Sequence, residues 1–586
     1  TVSDMIEIVV YDVFSVADTV SKADGGTFDN NINITGNLHI TGTDTSDQII
    51  IENTDAGTGT APDVVLFRNS ASPADNDAVG RIDFRGQDDG SNSKDYATIF
   101  SNITDATAAT AAGSLSFQTR NGSNQAVRLF IGGDGSVSTP TLGTSNLALG
   151  VNAGNSIQSG GNHNVAVGDE AGTAISTGDG NIVIGFETGH DITTGNYNTL
   201  VGWKSGDKID TGGSNTAIGD GSLSTDTKGS KSVAVGSNAL NGQNFSSATD
   251  TYNTAVGYNA GNAVTTGQNN TIVGGLAGDA LTDADGNVAV GYLALSTDTQ
   301  GSKSTAIGRA ALSSQNFTSA TNSNNTAVGY FAGANVTTGL NNTLVGQDAG
   351  GDITTGQQNT IMGSNAGNAL IGGSYSIAIG VDALGAETHG EAQIAIGRDA
   401  LSNSNHSSGG SQENIAIGDS ANTTTTTGSN VIAIGKGADP SGSGGTDQIV
   451  MGKDVTCVGN QNFTFGDGGT DSNIQMGATS ISAPSDERLK EDIKDETIGL
   501  AFINELRPVT FQWKKEKDIP SDMKAYVADS EERVMNGKYN HGFIAQEVKT
   551  VIDKYNLKDG QKLWMEAGTD GRQRLAEGEL IPFLVK

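Results

Sequence analysis

The chain has 586 residues, about four ordinary domains in length, yet only 5% are aromatic and 82 are glycine, too few large side chains for conventional globular cores throughout. Eight prolines and no Gly-X-Y period exclude a collagen-like helix. A net charge of -33, from 33 basic and 66 acidic residues, repels phosphate backbones and argues against nucleic acid as a partner.

The lone Cys457 allows neither an intrachain disulfide nor a structural zinc site. There is no run of 18 apolar residues, and TVSDMIEIVVYDVF lacks the regions of a signal peptide, so no membrane insertion is expected. Because Thr1 falls within what reads as a strand, an upstream part of the chain is expected.

Residues 1–46 read as an N-terminal β shaft segment, and 47–140 as an all-β sheet or small sandwich domain. The predicted strands, in order, are MIEIVVYDVF, NINITGNLHITGT, DQIIIEN, DVVLFRN, AVGRIDFRGQDDG, DYATIFSNI, GSLSFQTRNG and AVRLFIGGDGSVS, with turn clusters between them. Alternation of period two in GRIDFRG and GSLSFQT places successive side chains on opposite faces. The later members of this series resemble the sheet domains of phage tail proteins.

From 141 to 480 a unit of the type N-T-A-I-G recurs, ending at eighteen glycines from Gly150 to Gly452. Its usual step is 17 residues. Steps of 21, read as every fourth interval, lay a 72-residue period over it, as in GSKSVAVG from Gly229 and GSKSTAIG from Gly301. The four extra residues are expected to form a recurring surface loop, QNFSSATDTYN after Gly242 and QNFTSATNSNN after Ser314.

Within NTAVGYNAGNAVTTGQN from Asn253, small or β-branched residues alternate with polar ones, and Gly or Asn marks the bends. No proline lies between Pro140 and Pro440, as expected of strands that must donate to a ladder on both sides. Each unit is predicted to be one coil: a short strand, a turn, a second strand and a return turn around a narrow interior of Ala, Val, Ile and Leu. About 18 coils at ~4.8 Å make a rod of roughly 85 Å. So slender a solenoid has little core per coil, which predicts that copies associate side by side.

Units such as NVAVGDEAG at Asn164 and NTAIGDGSL at Asn215 resemble the left-handed β-rolls in the heads of YadA-like trimeric adhesins and related phage fibres. The resemblance implies three rolls packed about one axis. The expected fold class is therefore mainly β, a trimeric elongated fibre with a stacked β-roll solenoid, an upstream all-β domain and a small α+β C-terminal chaperone domain.

At Ser485 the composition changes. The 102 residues from Ser485 to Lys586 hold 17 basic and 20 acidic side chains, two of the three tryptophans (Trp513 and Trp564) and the helical patterning of the chain, which together read as an ordinary α+β module. Its opening, SAPSDERLKEDIKDETIGL, puts Lys490 five residues after Ser485. If Asp486 to Asp492 form a helical turn, the amine folds back onto the hydroxyl, and a partly desolvated Lys can take the proton of a Ser nucleophile. The competing reading is structural: S-D-E before an amphipathic run is a helix N-cap with acidic first-turn residues.

SDERLKEDI together with HGFIAQEV, about 55 residues apart, resembles the peptidase S74 family, the intramolecular chaperone of phage endosialidases, tail fibres and neck appendages. The resemblance implies a domain that trimerises, directs folding of the fibre before it and then cuts itself off. It makes Ser485 the nucleophile, Lys490 the general base and Pro484–Ser485 the scissile bond, with Asp486 and His541 as supporting residues. The family continues into a helical coiled coil where this chain stops at LIPFLVK, so the trimerising end is expected to be truncated.

The functional expectation is a structural and adhesive phage tail fibre, located in the virion and made in the host cytoplasm. Its partners would be two further copies of the chain, other tail proteins through the N-terminal end, and a host-surface glycan or protein receptor. Two alternatives stand beside it, a tailspike polysaccharide depolymerase and a bacterial trimeric adhesin. The first needs a carboxylate pair and aromatic platforms in a groove; Trp203, Asp207 and Asp210 do not cluster in sequence. No cofactor or metal is expected, since DADGN at Asp283 and GDGGTD at Gly466 are isolated turns and no calcium-binding repeat occurs.

Overall fold

The computed structural model describes residues 37–38, 40, 49, 51, 64–139, 141–478, 481–483, 485–535, 537–557, 563–566 and 572–585. The chain divides into two compact units, Thr1–Ile481 and Ser482–Lys586. Most of the expected shaft over 1–46, with its strands MIEIVVYDVF and NINITGNLHITGT, lies outside the described residues, as does most of DQIIIEN.

The upstream domain is one antiparallel meander of five strands: β1 (Ala78–Gln87), β2 (Ser93–Asp105), β3 (Ala112–Asn121), β4 (Asn124–Ile131) and β5 (Val137–Ser138). Ile82, Ile99, Phe117 and Leu129 stand opposite one another across four strands, the apolar row that period-two alternation produces. Of the two readings, sheet or small sandwich, the described residues form a single sheet. Residues 64–70, which hold most of the expected strand DVVLFRN, have no ladder partner among the described residues, and Val65 and Phe67 are exposed. Phe84 of β1 is exposed as well.

The repeats form a β-solenoid of about 19 turns. Each turn contributes one rung to a parallel ladder that starts at Leu147–Leu149 and ends at Asn462–Asp467, where Ser472–Gln475 closes it antiparallel. Register is strict: Ala217 faces Leu200 on one side and Ala234 on the other. The middle residue of each three-residue strand points inward, and Ala166, Val183, Leu200, Ala217 and Ala234 are fully buried. The flanking residues point out.

Two features of N-T-A-I-G follow from stacking. The glycine ends the strand at φ between +130° and +145° in most turns, and a Cβ on Gly274 would lie 2.6 Å from the carbonyl oxygen of Gly291 in the next turn. The asparagine is buried and builds a second ladder. Asn198 Oδ1 accepts the Asn215 N–H at 3.0 Å, while Asn198 Nδ2 donates to Gly212 O at 3.0 Å and to Asn181 Oδ1 at 3.0 Å.

The far side of an ordinary coil differs from expectation, since it carries no second strand. Left-handed residues such as Glu170 and Gly172 (both φ +57°) break the extended backbone there, although turns remain joined by bonds such as Gly172 N–H to Thr188 O at 2.9 Å. Among the described residues a second strand occurs only where a 21-residue coil stacks on the 17-residue coil before it, as the short parallel ladders Gly229–Ser230 with Thr249–Asp250, Gly301–Ser302 with Thr321–Asn322, and Gly390–Glu391 with Gly410–Ser411. The regular 72-residue period also needs correction. The second 21-residue step follows the first by 72 residues, but the third follows the second by 89, because one more ordinary coil intervenes.

The interior alternates between two solutions to the same space. Ordinary coils place Gly six residues after the central strand position and an aliphatic residue nine after it, as in Gly172 with Ile175; a Cβ on Gly172 would meet Ile175 Cδ1 at 2.6 Å. The two turns at each long coil place Leu at the glycine position and a buried polar residue at the other: Leu223 with Asp226, Leu240 with Gln243, Leu295 with Asp298, Leu312 with Gln315, Leu384 with Glu387, and Leu401 with Ser404.

The C-terminal unit is small and α+β. Helices α1 (Leu500–Ile503), α2 (Ala545–Lys554) and α3 (Ile581–Val585) enclose a core of Phe502, Leu506, Val548, Ile552, Leu563, Leu580 and Phe583. Two antiparallel pairs accompany them, Val509–Phe511 with Asn540–Gly542 and Trp564–Glu566 with Gln573–Leu575. Among the described residues, no helix is long and apolar enough to cross a membrane.

Candidate functional site

The predicted helical turn after Ser485 is a single 3-10 turn, Glu487–Leu489, and the residues that follow are irregular until α1. Its cap is Asp486, whose Oδ1 accepts the Arg488 N–H at 2.9 Å, so the cap falls one residue later than the structural reading placed it. Lys490 leaves the turn in extended conformation (φ -122°, ψ 141°), which brings its side chain back toward the start of the turn. Its Nζ donates to Ser485 Oγ at 2.7 Å. The hydroxyl and the amine are thus in direct contact, and both residues are exposed.

The two supporting residues are placed elsewhere. The Asp486 carboxylate is engaged by the Arg488 guanidinium, with Nη2 at 2.6 Å and Nε at 3.0 Å, and these bonds hold its pKa below the ordinary Asp value. It therefore organises the turn and makes no bond to the Ser–Lys pair. His541 lies in the strand Asn540–Gly542, opposite Thr510, and its Nδ1 is 3.4 Å from Thr510 Oγ1. Among the described residues it makes no hydrogen bond to Ser485, Asp486 or Lys490. Pro484, on the other side of the expected scissile bond, lies outside the described residues.

Around this segment the domain is pinned by ion pairs between the two sequence motifs. Arg507 forks onto Glu547 at the start of α2, with Nε to Oε2 at 2.9 Å. Glu505 accepts from Lys554 Nζ at 2.7 Å and from Tyr555 O–H at 2.9 Å. These pairs depress both carboxyl pKa values and link the RPVTF and HGFIAQEV segments.

In the roll, the residues considered for glycosidic chemistry are occupied. Asp207 is almost fully buried, which raises its pKa, and Lys208 Nζ stands 3.4 Å from it and 3.0 Å from Asp191. His190, Asp191 and Asp207 are close enough together to suggest a cation site, but the Lys208 ammonium already lies against both acids. Asp210 accepts from Thr193 Oγ1 at 2.5 Å. The spacing of these acids therefore serves structure.

Residues 485–557 match a protein-family model described as Peptidase_S74, chaperone of endosialidase. No curated protein and no solved structure matches the chain.

Proposed function

We propose that this chain is a bacteriophage tail fibre that works as a homotrimer, attaching the virion to its host, and that its C-terminal domain aligns three copies and then severs itself before Ser485. The observation that carries this reading is the match to the endosialidase chaperone family at 485–557, directly after a fibre-like β-solenoid. The YadA-like character of the roll belongs to the same proposal.

The roll supplies a reason for association. The outward third position of the rungs is apolar along the ladder, as in Ile184, Ile218, Val256, Ile307, Met362, Ile417 and Met451, each 37–41% exposed in the single chain. A stripe of that length is costly in water and is relieved by packing against the same stripe on other copies. Three rolls about one axis would bury it.

Self-cleavage would run from the Ser485–Lys490 contact. Lys490 Nζ takes the hydroxyl proton as Ser485 Oγ attacks the Pro484 carbonyl carbon. The bond to Ser485 N then breaks, the proton passes to that nitrogen, and water hydrolyses the resulting ester. Ser485 and Lys490 are both exposed in one chain, and packing between copies would exclude water from the pair and fix its geometry. Cleavage is therefore expected to follow trimerisation.

The test is the mass and sedimentation of the expressed protein with and without Ser485→Ala. The reading expects a trimer that loses the 102 residues from Ser485 onward only when Ser485 is present. A monomer, or a fragment released equally from both proteins, refutes it. Incubation with capsule or lipopolysaccharide, scored for released oligosaccharide, separates an attachment fibre from a depolymerase.

A further inference from the structure

Between residues 141 and 478 there are thirteen aromatic side chains. Five of them occupy one of the positions of the repeat, the residue directly after the strand-ending glycine: Phe186, Trp203, Tyr258, Tyr292 and Tyr330. That enrichment is far above an even spread over 17 positions. All five are 43–59% exposed.

Backbone bonds stack this position from turn to turn. Lys204 N–H meets Phe186 O, Leu276 N–H meets Tyr258 O, Leu293 N–H meets Gly275 O, Ala310 N–H meets Tyr292 O, and Phe331 N–H meets Arg309 O. The column runs parallel to the apolar stripe and is separated from it by the glycine column. Its intervening members are small or polar: Asp220, Ser237, Gly275 and Arg309.

From Tyr258 to Tyr330 a tyrosine stands on every second rung, a spacing of about 9.6 Å from two inter-strand steps. That distance is comparable with two sugar rings of an extended β-linked chain. Gly275 keeps the space between the first two rings open; a Cβ there would meet only Tyr292 Cδ2, at 3.7 Å. The Arg309 guanidinium lies over the Tyr330 ring, 5.5 Å from its centroid, and donates from Nη1 to its hydroxyl at 2.9 Å, so at this rung the platform combines the ring with guanidinium donors.

We propose that the column Tyr258–Tyr292–Tyr330 is a binding track for an uncharged, extended β-linked glycan, whose successive disaccharides stack on successive tyrosines. This rests on the attachment reading above and names its ligand class and residues. A half-exposed phenol offers an apolar face and a polar tip, which suits the CH and OH surfaces of a pyranose. The net charge of -33 disfavours a polyanionic chain. A second copy of this protein is the poorer occupant, because closing a homotypic interface over the column would bury Asp220 and Arg309.

The test titrates cellohexaose and chitohexaose into the intact protein by calorimetry, with sedimentation on each variant. Binding of one or both hexasaccharides is expected, weakened more than about tenfold by Tyr258→Ala/Tyr292→Ala/Tyr330→Ala. It should be retained by the matching triple Phe variant, which keeps the ring faces, and by Tyr197→Ala/Tyr375→Ala, which alters exposed tyrosines elsewhere on the repeat. Gly275→Asp, which places a charge between platforms in open space, should also abolish binding without removing a tyrosine. Absence of binding to either probe, or equal affinity in the triple Ala variant, overturns the proposal. So does dissociation of the assembly by that variant, which would make the column a contact between copies. The attachment-fibre reading fails on oligomeric state and Ser485-dependent mass instead, so the two failures are distinguishable.

Discussion

The coil before the third long one makes a quantitative prediction because a carboxylate lies fully buried inside it. Glu387 Oε1 accepts the backbone N–H of Gly390 at 2.7 Å and of His406 at 2.9 Å, while Oε2 accepts from Gln393 Nε2 and Ser404 Oγ, both at 2.8 Å, and lies 2.7 Å from His406 Nδ1. Burial alone would raise its pKa, but the hydrogen bonds, those of His406 first, outweigh it and hold the group at about 2 against an ordinary 4.5. A depressed carboxyl pKa gives stability that is fully present above 4.5 and lost as pH falls through 2. A shift of this size corresponds to about 3 kcal/mol at neutral pH.

The assay is amide hydrogen exchange at Gly390 and His406, whose N–H groups end on Glu387, compared with Gly229 and Phe245, which end on Asp226 in the coil before the first long one. Protection at the first pair is expected to fall by about two orders of magnitude between pH 5 and pH 2, after correction for intrinsic rates. Glu387→Gln should lower protection at neutral pH and flatten that pH dependence. Wild-type protection independent of pH over this window, or a Glu387→Gln profile that titrates like the wild type, refutes the reasoning.

Four further outcomes follow from the same geometry. Asn198→Ala removes an acceptor for the buried Asn215 N–H and a donor to Gly212 O, and is expected to destabilise the adjacent turns by about 2–3 kcal/mol, read by local exchange. Gly274→Ala combines φ +137° with a Cβ 2.6 Å from a carbonyl oxygen, and is expected to reduce folded yield sharply where Gly275→Ala, free of positive φ, does not. In self-processing, Lys490→Met should match Ser485→Ala in leaving the chain intact, whereas His541→Ala should still cleave, as judged by mass. Arg507→Ala breaks an exposed, solvent-screened pair with Glu547 and is expected to shift the thermal midpoint of the C-terminal unit only slightly.

The sequence revealed the roll because its rule is local and repeated: N-T-A-I-G marks a rung, and the absence of proline over 299 residues marks an unbroken ladder. What it concealed was the use of each position. Asn198 reads as a bend former but is a buried rung of a second ladder. Phe245 and Phe317, read as surface loop, are 5% and 6% exposed, because the four added residues fold over the coil and their N–H groups end on Asp226 and Asp298. That could have been read from the conjunction of Leu for Gly with Asp or Glu three residues on, which signals a cavity filled from the other side. In the C-terminal unit the Ser485–Lys490 spacing foretold proximity, while the role of Asp486 depended on Arg488, a competing partner two residues away that no spacing rule ranks.

The same periodicity that makes the roll legible would also give the proposed trimer a need for a chaperone. If one chain slides along another by one 17-residue coil, the outward apolar position still meets an apolar position: Val for Ile, or Ile for Met. The mismatch per rung is at most a methyl or two, so the penalty is small against the gain from burying the stripe. The three long coils resist such slips, since their added ladders protrude at fixed heights, and their spacing is uneven. A slip of 72 residues superposes the first on the second but sets the second one coil short of the third, 89 residues on. Three marks in about 19 turns exclude perfect mispairing without directing chains to the correct one. In the trimer proposed above, alignment would then be imposed from an end, by the C-terminal domain, before the stripes meet. A fibre truncated at Ala483 is accordingly expected to associate into species of mixed register, visible as heterogeneous sedimentation, while the complete chain gives one boundary. A single homogeneous trimer from the truncated chain would show that the three long coils suffice.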